Sequence, residues 1–311
     1  MAEPIRKGNA LELCSYFPYL DYHSTWDTPE AFARHVASID EKSAWDDAAW
    51  ERGSSFSGTE NMAEALELAR TGWKEGVAKI EKIRANIHAM HPVLVKAVRY
   101  DIAGSVANVP RAISGNPLNM KANDLSKSRR RPVITLISSM SANCGSSKEA
   151  ITNQAAVVAA IIDQIETQGY ACEVIAVAPT RGCMFNGDGK FKACTSIRVK
   201  ASNQAVDIGR LSFGLGHASM FRRLVFADWC GDNRLRDPVG RGLGSALSLE
   251  TTSEDWAKGI YSLPSAEGVE NFFKKEDMAA TKGLEFLVNK LKEQGCPAFA
   301  GQLPDTMRKA A

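Results

Sequence analysis

"VITLISSMSANCGSSKEA", Val133 to Ala150, decides the fold. Its first six residues, "VITLIS", form an uninterrupted apolar run rich in β-branched side chains, as in a strand buried on both faces. A loop of small polar residues follows. Ser146 or Ser147 then stands where a hydroxyl would cap a helix. That helix reads through "KEAITNQAAVVAAIIDQIETQ" to Gly169, a natural C-terminal stop. Further on, "YACEVIAVAP" and "CTSIRVKAS" read as a second and a third buried strand, and "AKGIYSLPS" as a fourth. "AVDIGRLSFGLGHASMFRRLVFADW" is expected to be helical or broken-helical. Leu284, Leu287, Val288 and Leu291 mark a last amphipathic helix, closed by Gly295 and Pro297. Strands alternating with helices predict an α/β fold: a parallel-rich sheet covered by helices, Rossmann-like in layout. Ligands of such sheets bind outside the carboxyl ends of the strands, where the loop after Ser138 lies.

Upstream the pattern differs. In "STWDTPEAFARHVASI", Thr28 is an N-cap candidate, with Pro29 in the first helical position. Met62, Leu66, Ala69, Trp73, Val77 and Ile80 share one helical face. Gly72 and Gly76 interrupt that face, each costing about 1 kcal/mol against alanine, which predicts a break near Trp73. "PVLVKAVRYDIAGSVANVPRAISG" mixes β-branched residues with turn formers. Three parts follow from this reading: a mainly helical region with a small β element over residues 1–120, a basic linker over 121–131, and an α/β domain over 132–311.

Composition narrows the function classes. The 311 residues are 44% hydrophobic and 24% charged, so the chain can bury a large core. A net charge of +2 gives no general attraction to nucleic acid or membranes. No stretch is apolar enough to span a membrane, and the N-terminus lacks a signal-peptide core. The seven cysteines include no CxxC pair, which removes the zinc-knuckle pattern. Cys172 sits in a strand-like run as a core residue. These features predict a protein of a reducing cytoplasm.

The order of strand, hydroxyl-rich loop, helix and strand resembles a von Willebrand factor A-type domain, over roughly residues 132–295. That family places a D-x-S-x-S motif after its first strand, to help hold a divalent metal. Ser139, Ser141 and Asn143 occupy the matching alternate positions, so Ser139 stands where the family has its Asp. Mg²⁺ and Ca²⁺ need oxygen ligands, usually with a carboxylate to offset their charge. Asp228 and Asp232, in "FADWCGD", are the obvious suppliers. Without them the loop is metal-free, and its hydroxyls cap the helix or meet an anion. The segments "GTENMAEALELARTGWKEG", "DIAGSVANVPRAISGNPLNM" and "RRLVFA" together resemble an uncharacterised bacteriophage family of this length. That resemblance implies a viral setting, and with it the host cytoplasm.

Other motifs fall short of a chemistry. Gly182 and Gly187 have phosphate-loop spacing, but Asp188 follows where the motif demands Lys, and Lys190 comes two places late. His88 and His91 lack a third ligand. Arg222 and Arg223, near His217, could pair with Asp228 or contact a partner. No nucleophile elbow appears. Lys121, Lys127, Arg129, Arg130 and Arg131 could contact phosphates, although no aromatics interleave them. The sequence therefore predicts a non-enzymatic protein-interaction module, a bacteriophage accessory or assembly factor, with no catalytic residues and no cofactor, a divalent metal being the one option left open. Its ligand or partner loop comprises Ser139, Ser141, Asn143, Ser146 and Ser147. Nucleic-acid binding through residues 121–131 is the alternative.

Overall fold

In the computed structural model, "VITLIS" becomes the strand Val133–Ser139. The structure describes residues 4–40, 53–90, 100–102, 106–121, 131–142, 145–182, 190–240, 243–265 and 269–299. In chain order its principal strands are β1 (Ile5–Gly8), β2 (Tyr22–Trp26), β3 (Val133–Ser139), β4 (Ala171–Arg181), β5 (Lys192–Lys200) and β6 (Ile260–Leu263). Its principal helices are α1 (Pro29–Ala37), α2 (Met62–Thr71), α3 (Lys74–Met90), α4 (Lys148–Thr167), α5 (Ile208–Gly216), α6 (Phe226–Cys230) and α7 (Leu284–Glu293).

These strands line up as β1-β2-β5-β4-β3-β6, and Ser245–Ala246 adds a short antiparallel pairing on β4. β3 runs parallel to both β4 and β6, and β2 parallel to both β1 and β5. The two parallel sets meet at β4 and β5, which are antiparallel. The expected parallel-rich α/β sheet is present, with one reversal at its middle.

Period-2 alternation sorts the strand residues between two cores. Ile134 and Leu136 of β3, with Val174, Ala176 and Ala178 of β4, join the larger core beneath the helices. Ile137, Ile175, Val177 and Cys194 face the opposite way. There the cover is mostly not α-helical: Leu13 and Phe17, in and beside the 3₁₀ turn Leu11–Tyr16, pack with Leu20 and Leu249.

The packing crosses the boundary drawn at 121–131. β1 and β2 extend the same sheet, and Phe32, Ala65, Ile80 and Ile87 share one core with α4. Short parallel strands far from their partners in sequence carry little local signal, so this region reads as mainly helical. The small β element is also present, as an antiparallel set of Tyr100–Asp101, Met120–Lys121 and Val106–Ala107.

Helix ends follow the expected chemistry. Thr28 accepts from the Ala31 N–H, and Ser147 from the Ala150 N–H, each at 3.1 Å. The break near Trp73 separates α2 from α3 at Gly72, whose φ is +80°. A Cβ at Gly72 would sit 2.9 Å from the Gly209 carbonyl carbon. Gly72→Ala is therefore expected to lower stability by about 1–3 kcal/mol, read from the denaturation midpoint. A loss below about 0.5 kcal/mol would mean the break is relaxed in solution.

Candidate functional site

Hydroxyls near the start of α4 serve the backbone. Ser147 is the N-cap, and the Ser146 carbonyl accepts from Arg222 Nη2 at 2.9 Å. The buried Ser141 hydroxyl donates to the Pro179 carbonyl at 3.3 Å. Ser139 ends β3 and is half-buried. Asn143 lies outside the described residues.

The carboxylates expected to complete a metal loop are engaged elsewhere. Asp228, fully buried, takes Lys7 Nζ at 2.8 Å, His35 Nε2 at 2.9 Å and the Thr195 hydroxyl at 3.0 Å. Burial would raise its carboxyl, but Lys7 and His35 outweigh burial and hold it at about 2. Asp232 takes Arg234 at 2.7 Å, the Tyr22 hydroxyl at 3.2 Å and Lys7 at 3.4 Å. Two carboxylates are thus matched by two cations on the cover of β1, β2 and β5. Among the described residues no group of three or more His, Cys, Asp and Glu side chains could hold a metal ion.

Arg222 and Arg223 do not reach Asp228. They project from a wide-turned π-helical stretch, Met220–Val225, and both are buried. Arg223 donates to the Ser57 hydroxyl at 2.6 Å and to Thr59 Oγ1 at 2.9 Å. Arg222 donates to the Phe56 carbonyl at 3.0 Å and lies over the Phe56 ring. Together they fix the segment 56–59 against the loop that enters α4.

That fixed segment is one edge of a cleft of about 890 Å³. The first turns of α4 form one wall, through Lys148, Glu149 and Asn153. The break between α2 and α3 and the start of α3 form another, through Trp73 and Lys79. His217, just past α5, lies between them. The His217 ring meets Trp73 edge-on at 4.6 Å and stacks on Phe213 at 5.5 Å. Its Nδ1 accepts the Ser219 N–H at 3.2 Å, so the proton of the neutral ring belongs on Nε2. Burial pushes the imidazole down to about 4, helped by Lys148 and Lys79, so it is neutral at pH 7.

Lys79 lies over the Trp73 ring at 5.7 Å. Two of the four lining glutamates have partners within the fold: Glu276 pairs with Lys82 at 2.7 Å, and Glu64 accepts the Glu60 N–H at 2.7 Å. Lys74, Lys274 and Lys275 also line the cleft, which leaves its balance positive. The start of a 20-residue helix adds to that potential.

A family model described as a domain of unknown function, DUF7192, matches residues 15–292. The chain belongs to this family. The DUF7192 match runs from within the 3₁₀ turn to α7, so it includes both sides of 121–131 and every cleft residue named above. No curated protein and no solved structure matches the chain.

Most of the remaining motifs do not converge on the cleft. Lys121 is in the small β element and Arg131 is exposed, whereas Lys127, Arg129 and Arg130 lie outside the described residues. Gly182 precedes the connection between the antiparallel β4 and β5, not a helix, and residues 183–189 also lie outside. His88 bonds Asp163 at 3.0 Å beside Arg84, while His91 is outside. No described helix is long and apolar enough to cross a membrane.

Lys79, Asn153 and Trp73 were not foreseen as site residues. They meet only because α3 packs along α4, which no local pattern announces.

Proposed function

We propose that this chain is a non-enzymatic interaction module and that the cleft beside the start of α4 receives an acidic segment of a partner protein. The observation that supports this best is the grouping of Lys79, Lys148 and a neutral His217 around one open cleft. Ammonium groups and a helix start attract a carboxylate. A neutral imidazole with its proton on Nε2 donates a hydrogen bond without needing a counter-charge. A protein partner is favoured over nucleic acid because four glutamates line the cleft together with the five lysines. A phosphate backbone calls for a continuous basic track.

The test is tryptophan fluorescence titration of the full chain with a blocked hexaglutamate peptide, with Trp73→Phe identifying the reporting ring. Saturable binding is expected, weakened at least tenfold in Lys79→Glu/Lys148→Glu while the melting temperature holds. Binding of equal strength in that variant contradicts the reading. Saturable binding of inorganic phosphate without binding of the peptide would reassign the cleft to small anions.

A further inference from the structure

Asn153 gives the cleft an element that charge does not supply. Its side chain is 6% exposed, and it lines the cleft one turn beyond Glu149. Its Nδ2 donates to the Phe273 carbonyl at 2.7 Å. That bond fixes the amide orientation, because a carbonyl can only accept. The Oδ1 atom is then the open arm of the fork, and among the described residues no hydrogen bond to it is made. Thr152, one residue earlier, is already committed, since its hydroxyl lies 2.9 Å from the Gly216 carbonyl and 3.0 Å from that of Lys148. Asn153 therefore presents a fixed acceptor on a largely buried residue, in a cleft that also offers the His217 Nε2 donor and the ammonium groups of Lys79 and Lys148.

A neutral acceptor beside those donors selects against a bare anion. A carboxylate or phosphate oxygen facing Asn153 Oδ1 would place two acceptors in contact without a proton between them. A ligand suited to the whole cleft carries an acidic group for the lysines and a neutral N–H for Asn153. We infer that Asn153 reads a main-chain N–H of the bound acidic segment, so that the cleft recognises peptide backbone beside the carboxylate and not negative charge alone. This inference rests on the acidic-segment reading above.

Backbone ester substitution tests it without altering the protein. A series of hexaglutamate analogues is made in which each main-chain N–H in turn is replaced by an ester oxygen. One analogue is expected to bind about tenfold more weakly than the all-amide peptide, because the acceptor that the peptide covers is left unsatisfied. In Asn153→Leu, that analogue and the parent peptide should bind alike, which assigns the penalty to this side chain. Equal binding of every ester analogue to the unaltered chain would overturn the inference while leaving the acidic-segment reading intact. A penalty that persists in Asn153→Leu would also overturn it. No binding of any peptide would overturn both.

Discussion

Asp228→Ala is expected to destabilise the fold by about 3–5 kcal/mol, the range for breaking a buried charge pair. The carboxylate is fully buried and ionised, and three side chains converge on it. Removing it leaves the Lys7 ammonium in a low-dielectric site, with Asp232 at 3.4 Å as its remaining carboxylate. It also frees the Thr195 hydroxyl, which holds Trp229 Nε1 at 2.9 Å. Lys7 belongs to β1 and His35 to α1, while Asp228 belongs to α6. The substitution should therefore loosen the N-terminal strands first. Urea unfolding would give the loss as a shift in midpoint. A loss under about 1 kcal/mol would mean that water replaces these partners and that the cluster does not tie β1 to the sheet.

Stability should also fall steeply in mild acid. His23 is fully buried in β2, with Nε2 2.7 Å from the Ser196 hydroxyl. Burial, reinforced by Arg6, pushes its imidazole down to about 3, and His217 sits at about 4. In the unfolded chain both rings take a proton near pH 6.5. Between pH 6.5 and the folded values, the unfolded state alone binds these protons. The stabilisation is thus complete above pH 6.5 and is lost as pH falls. Each ring contributes about 1.4 kcal/mol per pH unit, on the order of 5 kcal/mol for the pair by pH 4.5. That is comparable with the whole stability of an ordinary domain. Asp228 acts in the same direction later, its share being lost from pH 3.8 down to about 2. Urea midpoints from pH 7 to 4.5 should show the slope, and His23→Asn should roughly halve it. A flat profile over that range would contradict the buried, neutral state of both rings.

Signals confined to one segment were legible. The "VITLIS" strand, the caps at Thr28 and Ser147, the stop at Gly169 and the break at Gly72 all follow from neighbouring residues. The reversal between β4 and β5 was not, because a buried strand reads alike in either direction. Nor was the pairing of β2 with β5, which joins Tyr22 to Ala193 across most of the sheet-forming sequence. The site was legible in part. The hydroxyl loop lies next to the proposed cleft, since Ser147 caps the helix whose next residues line it. The weight placed on Ser139 and Ser141 followed the metal-loop pattern, but Ser141 is turned to the Pro179 carbonyl. Asp228 and Asp232 read as ligands because a carboxylate's partners cannot be seen in sequence. Here they are Lys7, His35 and Arg234.

A charge exchange at the cleft separates an acidic-segment site there from binding elsewhere or no binding at all. Lys79→Glu/Lys148→Glu reverses the two cations that flank His217 and leaves the Asp228 cluster untouched. Calorimetric titration of both proteins with hexaglutamate and with a hexalysine peptide of equal length would compare all four pairings. The unaltered chain is expected to take hexaglutamate and refuse hexalysine, and the reversed chain to do the opposite. Hexaglutamate binding that survives the reversal would place the acidic segment elsewhere and rule out this cleft as its site.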